Sequence, residues 1–209
     1  MLIRNCCVAT LEDVSPEGGC SGVASFVAVD VETANVRPAS ICQIGVVAFS
    51  NGKVADVWQS LVDREEPFTR LHVGLHGIDA TRLCQAPPFP KIVPILSSLL
   101  SGRVVISHMA VDRIALRCAC LKYGLPPVQC TWLDSARVAR RVWPRFAKRG
   151  YGLKSLASWC GFDFLHHNAV EDASAAGHVF MRALAESRTT VEEWVFRFGM
   201  SNAVRDVRQ

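Results

Sequence analysis

Two carboxylates lie on an otherwise apolar segment, FVAVDVETAN, at residues 26–35. The apolar pattern predicts a β-strand, on which Asp30 and Glu32 share a face because side chains two residues apart point the same way. A rise of about 3.3 Å per residue separates them by roughly 7 Å along the backbone. Phe26 and Ala28 share this face, so an edge strand with the face in water is the less favoured interpretation. Buried unpaired charges cost several kcal/mol each, and a divalent cation would remove that cost.

Two further aspartates lie where their side chains could converge on this strand. Asp112 follows the apolar segment VVISHMAV, in the first turn of a predicted helix, and Asp172 lies in the first turns of a longer helix that follows HHN. Taken singly, each is typical of a residue that complements a helix dipole. Together with Asp30 and Glu32 they form a set of four carboxylates, whose oxygens are the ligands that hard cations choose. The sequence therefore suggests a divalent-cation site.

The elements that must position these residues are predicted from hydrophobic periodicity and from turn and capping residues. Strands are expected at 26–32, 41–49 and 54–62, with Asn51-Gly52 as a hairpin turn, and then at 103–107 and 128–133; residues 63–90 are expected to be a long connection. Helices are expected at about 90–100, after His108 and within 152–162. Asp134 is expected to cap a helix that ends at Trp143. Asn168, with Glu171 in a capping box, is expected to cap a helix that ends at about Ser187, and a last helix is expected to start at Thr190. Three antiparallel strands followed by βα alternation predict an α/β fold with a mixed sheet.

The composition limits which classes of protein and partner are compatible with this chain. The chain has 209 residues, half of them hydrophobic, and a net charge of +4, which permits a nucleic-acid partner without demanding one. No apolar run approaches the roughly 20 residues of a membrane span, and residues 1–24 form a weakly patterned lead-in without the apolar core of a signal peptide. The nine cysteines include no C-x-x-C pair, which argues against structural zinc and for thiols in a reducing cytoplasm. We therefore expect a cytoplasmic protein with no membrane partner.

The motifs, taken in order, resemble a known family. The D-x-E strand, the aspartate of ISHMAVD and the H-x-x-x-x-D of HNAVED are similar to the motifs of the DEDD superfamily of 3′–5′ exonucleases, histidine subtype. The segments DVETAN, ICQIGVV, LHGI and YGLKSLASWCGF are most similar to stand-alone relatives of the DNA polymerase III proofreading subunit; RNase T and oligoribonuclease belong to the same group. The resemblance covers residues 25–187 and implies a ribonuclease H-like fold. Met109 departs from the pattern, since the family often has Asn there.

The resemblance also implies a catalytic role for five residues. Asp30, Glu32, Asp112 and Asp172 would hold two Mg²⁺ or Mn²⁺ ions, with Asp30 bridging them, and His167 would be the general base. An imidazole with a free pKa near 6.5 suits the removal of a proton from water near neutral pH. His166 lies one residue farther from Asp172 along the chain and is expected to be dispensable. A zinc site at the two adjacent histidines is rejected because no other ligands stand at a suitable spacing.

Further residues are expected to meet the substrate. The backbone of Thr33 and Ala34 would receive the terminal nucleotide, as the resemblance implies. His76, in the segment LHGID, could approach the substrate strand, although a plain turn residue is an equally good interpretation. His108 could touch the substrate, but orienting the start of the following helix is the favoured role.

The activity implied is the release of nucleoside 5′-monophosphates from nucleic-acid 3′ ends, with single-stranded DNA as the first choice. An RNA exonuclease of the RNase T or oligoribonuclease kind is the alternative. A non-catalytic nucleic-acid-binding or polymerase-docking module is less favoured because the catalytic set is intact. Residues 188–209 could dock on a polymerase or another protein. Residues 137–149 contain six basic and no acidic side chains, which fits either a phosphate-tracking surface or a solvated helix face.

Overall fold

A computed structural model of the chain describes residues 25–63 and 65–201. The strands are β1 (Phe26–Thr33), β2 (Ile41–Ser50), β3 (Lys53–Leu61), β4 (Val104–Ser107), β5 (Thr131–Asp134) and β6 (Met200–Ser201). The helices are α1 (Arg70–His76), α2 (Phe89–Leu100), α3 (Val111–Lys122), α4 (Ser135–Val142), α5 (Leu153–Trp159), α6 (Ala169–Ser187) and α7 (Val191–Phe198), with 3₁₀ turns at Thr81–Leu83 and Pro144–Phe146. The predicted lead-in at 1–24 and the last eight residues of the predicted tail lie outside the described residues.

The strands form one mixed sheet in the order β3-β2-β1-β4-β5-β6. The first three strands are antiparallel, as predicted, and β1, β4 and β5 run parallel to one another. Asn51 and Gly52 both adopt positive φ values, 54° and 74°, as a type I′ hairpin turn requires. Because β1 lies between β2 and β4, the alternative in which it is an edge strand is excluded.

The sheet separates two apolar layers, and alternate residues of β1 enter different layers. Phe26 and Ala28 pack with α4, α5, α6 and α7, whereas Val27 and Val29 pack with α2 and α3. Asp30 follows Phe26 and Ala28 on the face toward α6. The prediction that the two carboxylates share a face with buried apolar residues is therefore confirmed.

Helix α6 lies unusually close to the sheet, and two glycines allow it. A Cβ at Gly45, which pairs with Asp30 across β1 and β2, would collide with the backbone of Ala169 at the start of α6. A Cβ at Gly177 would collide with the ring of Phe49. The start of α6 is therefore seated directly beside the carboxylates of β1.

The structure differs from the predicted elements in several places. The predicted connection at 63–90 contains α1, a short helix with no buried residue, capped by Thr69 and ended by Gly77 at φ 69°. The predicted capping box at Glu171 is not formed, because the N–H of Asn168 donates to Asp172 instead. The capping box of Thr190 and Glu193 is formed as predicted. Among the described residues, no helix is long and apolar enough to cross a membrane.

Candidate active site

Three carboxylates meet at the carboxyl end of β1. Asp30 and Glu32 come from the strand and Asp172 from the first turn of α6, and one oxygen from each lies within 4.8 Å of the others. Asp172 is 2% exposed, and the Glu32 side chain is 12% exposed. The structure thus brings together residues 140 positions apart, through the close approach of α6 to β2.

Asp112 lies beside this group, on the first turn of α3. Its carboxylate Oδ1 accepts a hydrogen bond of 3.1 Å from the backbone N–H of Val31, between the two acidic residues of β1. The β4 pairing to β1 covers only Val27 and Ala28, so the N–H of Val31 has no partner from that strand. Asp112 satisfies this donor, and this bond places a fourth, 3% exposed carboxylate at the site.

Asp172 is oriented by the loop that precedes its own helix. The backbone N–H groups of His167 and Asn168 donate to Oδ2 at 2.7 and 3.1 Å, and Nδ1 of His166 lies 2.6 Å from Oδ1. The expectation that His166 lies farther from Asp172 than His167 is therefore wrong for the ring. The chain adopts a left-handed conformation at His167, with φ 67°, and the ring of His166 reaches the first turn of α6.

The electrostatics of the site are those of crowded like charges. Burial, followed by Asp112, Asp172 and Glu32, raises the pKa of Asp30 well above its usual range. Burial and then the charges of Asp172 and Asp112 raise the pKa of Glu32 to about 8. Burial raises the pKa of Asp112 to about 7, although the N–H of Val31 opposes this shift. A divalent cation would relieve this repulsion, and an all-oxygen donor set fits Mg²⁺ or Mn²⁺.

His167 borders the acidic group on its solvent side. Its Nδ1 lies 4.0 Å from Glu32 Oε1, and its ring stacks on that of His166 with 4.0 Å between centroids. Partial burial and the neighbouring His166 lower the pKa of His167 below its usual value. A side chain that is 35% exposed and neutral at neutral pH can accept a proton from a water molecule above the carboxylates.

The residues predicted to receive the terminal nucleotide are held by other parts of the chain. The N–H of Ala34 donates to Ser40 and its carbonyl accepts from Thr69, so both of its backbone groups are engaged. His76 accepts from the N–H of Ile78 at Nδ1, so its Nε2 carries the proton and donates to the carbonyl of Thr33 at 3.1 Å. His76 thus ties α1 to the end of β1, and its contact with a substrate stays a prediction.

His108 is likewise engaged on both ring nitrogens. Nε2 lies 2.7 Å from the carbonyl of Tyr151, to which it donates, and Nδ1 lies 2.8 Å from the hydroxyl of Ser135. Burial lowers the pKa of His108. These contacts join the β4–α3 loop to the starts of α4 and α5 and favour the positioning role over a substrate contact.

Several residues that build the site were not identified from the sequence. The side-chain Oε1 of Gln43, which pairs with Glu32, accepts from the N–H of Ala169 at 3.2 Å, and Gly45 admits the same turn of α6. The available signal was a glutamine and a glycine within the apolar segment ICQIGVV, since a glycine inside a strand often marks a close backbone approach. Asp134 caps α4 as predicted, but it also accepts from the N–H of Met109 at 3.0 Å.

Comparison with known proteins agrees with this geometry. Residues 27–180 match the sequence model of the RNase_T exonuclease family. The DNA polymerase III PolC-type protein of Caldanaerobacter subterraneus is 30% identical over 175 residues, which are 82% of this chain and 12% of that protein. The PolC-type protein of Thermotoga petrophila is 26% identical over 163 residues, 76% of this chain and 12% of that protein. The chain thus spans about an eighth of the length of these relatives.

Solved structures show the same fold. Exonuclease X in complex with 5′ overhanging duplex DNA aligns with a TM-score of 0.68 and 20% identity, over 81% of this chain and 96% of that one. The nuclease domain of 3′hExo, described as a DEDDh family member and bound to rAMP, aligns with a TM-score of 0.63 and 16% identity, over 79% and 92% of the two chains. The fold is ribonuclease H-like, and the chain belongs to the RNase_T exonuclease family.

Proposed function

We propose that this chain is a metal-dependent 3′–5′ exonuclease that releases nucleoside 5′-monophosphates, with DNA as its favoured substrate. The observation that carries the proposal is the meeting of Asp30, Glu32 and Asp172, with Asp112 beside them and Nδ1 of His167 4.0 Å from Glu32. A fold built only for stability would not bring buried acidic side chains this close together. The family match supports hydrolysis of nucleic acid, and the DNA polymerase relatives support DNA.

Each residue has a defined task in this proposal. Asp30, Glu32 and Asp172 would hold Mg²⁺ or Mn²⁺, with Asp112 completing the set. Divalent ions bound there would lower the pKa of a water molecule and neutralise charge that develops on the phosphoryl oxygens. His167 would take the water proton on an imidazole nitrogen, while His166 and the N–H groups of the same loop hold Asp172 in place.

The test compares matched DNA and RNA oligonucleotides labelled at either end, in the presence of Mg²⁺. A 3′–5′ exonuclease gives a ladder of shortening fragments from 5′-labelled strands and releases the 3′ label at once as a mononucleotide. A 3′-phosphorylated strand should resist digestion, because the added group crowds the site where the terminal nucleotide enters. Equal rates on blocked and free ends would indicate an endonuclease or entry from the 5′ end. Faster digestion of RNA would favour the alternative substrate.

A protein partner that docks through residues 188–209 is a second part of the proposal. Helix α7 buries Trp194 against the sheet layer and leaves Phe196 92% exposed. Deleting the helix would therefore damage the core, whereas Phe196→Ser alters only the exposed face. We expect Phe196→Ser to weaken retention of a polymerase subunit without changing the thermal unfolding of the chain. Unchanged retention would leave α7 as a packed terminal helix only.

A further inference from the structure

The basic run at 137–149 and Lys154 supply seven exposed basic side chains. We call this set of residues the basic face: Arg137, Arg140, Arg141, Arg145, Lys148, Arg149 and Lys154, all of them exposed. No acidic residue occurs between positions 135 and 162. Within the described part of the chain, none of these seven side chains takes part in an ion pair, unlike Lys122 and Arg182, which pair with glutamates. A merely solvated helix face usually carries charges of both signs, and this one does not.

Part of the basic face borders an open cleft of about 590 Å³. Its lining consists of Arg145, Phe146, Arg149, Ser155, Ser158 and Trp159. The guanidinium of Arg145 lies 4.1 Å from the centroid of the Trp159 ring, which holds the charge at the cleft wall. The nearby Glu186 accepts hydrogen bonds from Trp143 and Arg182, and it does not line the cleft. The cleft thus combines fixed positive charge with two serine hydroxyls.

The cleft connects with the candidate active site through α5 and the residues just before it. The carbonyl of Tyr151 accepts from His108, directly after β4. The ring of Tyr151 in turn packs against Phe146 of the cleft lining, with 6.3 Å between the ring centroids. Ser158 is one helical turn beyond Lys154, about 6 Å along the axis at 1.5 Å per residue. A strand whose 3′ end is at the carboxylates could therefore pass Tyr151 and enter the cleft.

We propose that this cleft binds the sugar-phosphate backbone of the substrate strand, upstream of the 3′ end being hydrolysed. The inference rests on the proposed function and adds to it a site that gives affinity without reading sequence. Guanidinium groups and hydroxyls are suitable donors to phosphate oxygens, and such contacts position a strand irrespective of its bases. The occupant is the strand in the active site, because Tyr151 joins the cleft lining to the loop that leads to Asp112, and the cleft has the opposite charge to the strand.

The experiment measures kcat and KM for a long single-stranded oligonucleotide and for a dinucleotide, at KCl concentrations from about 50 to 200 mM. The double variant Arg145→Gln/Arg149→Gln should raise KM for the long strand and leave the dinucleotide unchanged. The slope of log(kcat/KM) against log[KCl] should become shallower by about 1.4, at roughly 0.7 for each phosphate of a single strand that is no longer neutralised. The matched control is Lys91→Gln/Arg103→Gln, which removes the same charge from exposed positions on α2 and just before β4.

A second variant separates binding from folding. Arg149→Gln leaves the contact between Arg145 and Trp159 intact and should reduce the slope by about 0.7. The inference is overturned if the double variant matches the Lys91→Gln/Arg103→Gln control on the long strand. It is also overturned if the dinucleotide is affected as strongly as the long strand, because the cleft would then act on the active site itself. If the parent protein hydrolyses neither substrate, the proposed function fails, and the inference fails with it.

Discussion

Asp30 and Asp134 lie on strands of the same sheet, separated only by β4, yet their carboxylates are in opposite situations. Oδ1 of Asp134 accepts from three backbone N–H groups, those of Met109, Ala136 and Arg137. Asp30 accepts no hydrogen bond from the described residues and faces three other carboxylates, which raise its pKa together with burial. The lone pairs of Asp134 Oδ1 are thus used within the fold, whereas those of Asp30 stay free for a cation.

The acidic cluster is maintained by packing around it. Val179 and Phe180 of α6 are fully buried in the layer that also receives Phe26, so the helix is fixed by apolar contacts. Gly45 and Gln43 then set where the first turn of α6 lies, within hydrogen-bond reach of β2. The apolar packing opposes the repulsion between the carboxylates, which a cation would remove.

The largest effect is expected for Asp30→Asn, which keeps the shape of the side chain but removes its charge. Activity should fall to the assay background, because a loss of several kcal/mol of transition-state stabilisation corresponds to a factor of ten per 1.36 kcal/mol. The metal-free protein should not be less stable than the parent, since a buried repulsive charge is gone. Hydrolysis of labelled DNA and thermal unfolding measure the two effects.

If Asp30→Asn digests DNA at close to the parent rate, Asp30 does not have the catalytic role that distinguishes it from Asp134. The contrast between the two residues also fails if the variant unfolds well below the parent in the absence of metal, because Asp30 would then contribute to the fold in the way that Asp134 does.

The next effect is expected for His167→Ala, which should reduce turnover by roughly 10²–10⁴-fold, the usual loss for general acid–base help. The parent rate should rise with pH as the histidine loses its proton. The lowered pKa of His167 places this rise below the ordinary value near 6.5. His167→Ala should lack this limb of the pH–rate profile while its affinity for metal is largely kept.

His166→Ala is the matched control, and the structure changes what we expect of it. Because His166 contacts Asp172, its loss should weaken metal binding rather than leave the protein unaffected. Activity should recover at saturating Mg²⁺, with the parent pH profile. If His166→Ala stays inactive at saturating Mg²⁺ while His167→Ala is active, the general base has been assigned to the wrong histidine.

A smaller effect, and one on stability, is expected for Asp134→Ala. The variant loses a helix cap, which is worth about 0.5–2 kcal/mol, and leaves the N–H of Met109 without its partner. At about 2–4 °C per kcal/mol for a chain of this size, Tm should fall by several degrees. Below its own Tm the variant should retain metal-dependent hydrolysis. An unchanged Tm would show that the three hydrogen bonds do not distinguish Asp134 from Asp30.

The sequence was sufficient for those parts of the molecule that local patterns determine. Apolar alternation predicted the opening strands, and Asn168 and Thr190 predicted the starts of α6 and α7 correctly. The conflict between the charge of Asp30 and its apolar neighbours in the sequence indicated the acidic cluster that the structure shows, whereas the cation stays a prediction. Such a conflict is typical of functional sites, where a local rule is broken for a chemical reason.

Contacts between distant segments could not be predicted in the same way. Helix α1 has no buried face, so its sequence carries no apolar period, and only Thr69 and Gly77 mark its ends. The roles of Gln43 and Gly45 depend on α6 crossing β2 at that position. The contact between His166 and Asp172 depends on a left-handed residue at His167, a conformation that histidine adopts only occasionally.

The most direct test of the central claim is the thermal unfolding of the parent protein from about pH 5 to 8, with and without Mg²⁺. Glu32 and Asp112, with pKa values raised to about 8 and about 7, bind protons more tightly when the chain is folded. The metal-free protein should therefore lose stability as pH rises through this window, since the folded state holds the extra protons. Saturating Mg²⁺ should raise Tm most at pH 8 and remove the fall of Tm with pH. In Asp30→Asn, Tm should respond more weakly both to pH and to Mg²⁺. A Tm that is flat or rising with pH, and that Mg²⁺ shifts no more at pH 8 than at pH 5, would contradict a cation site at these carboxylates.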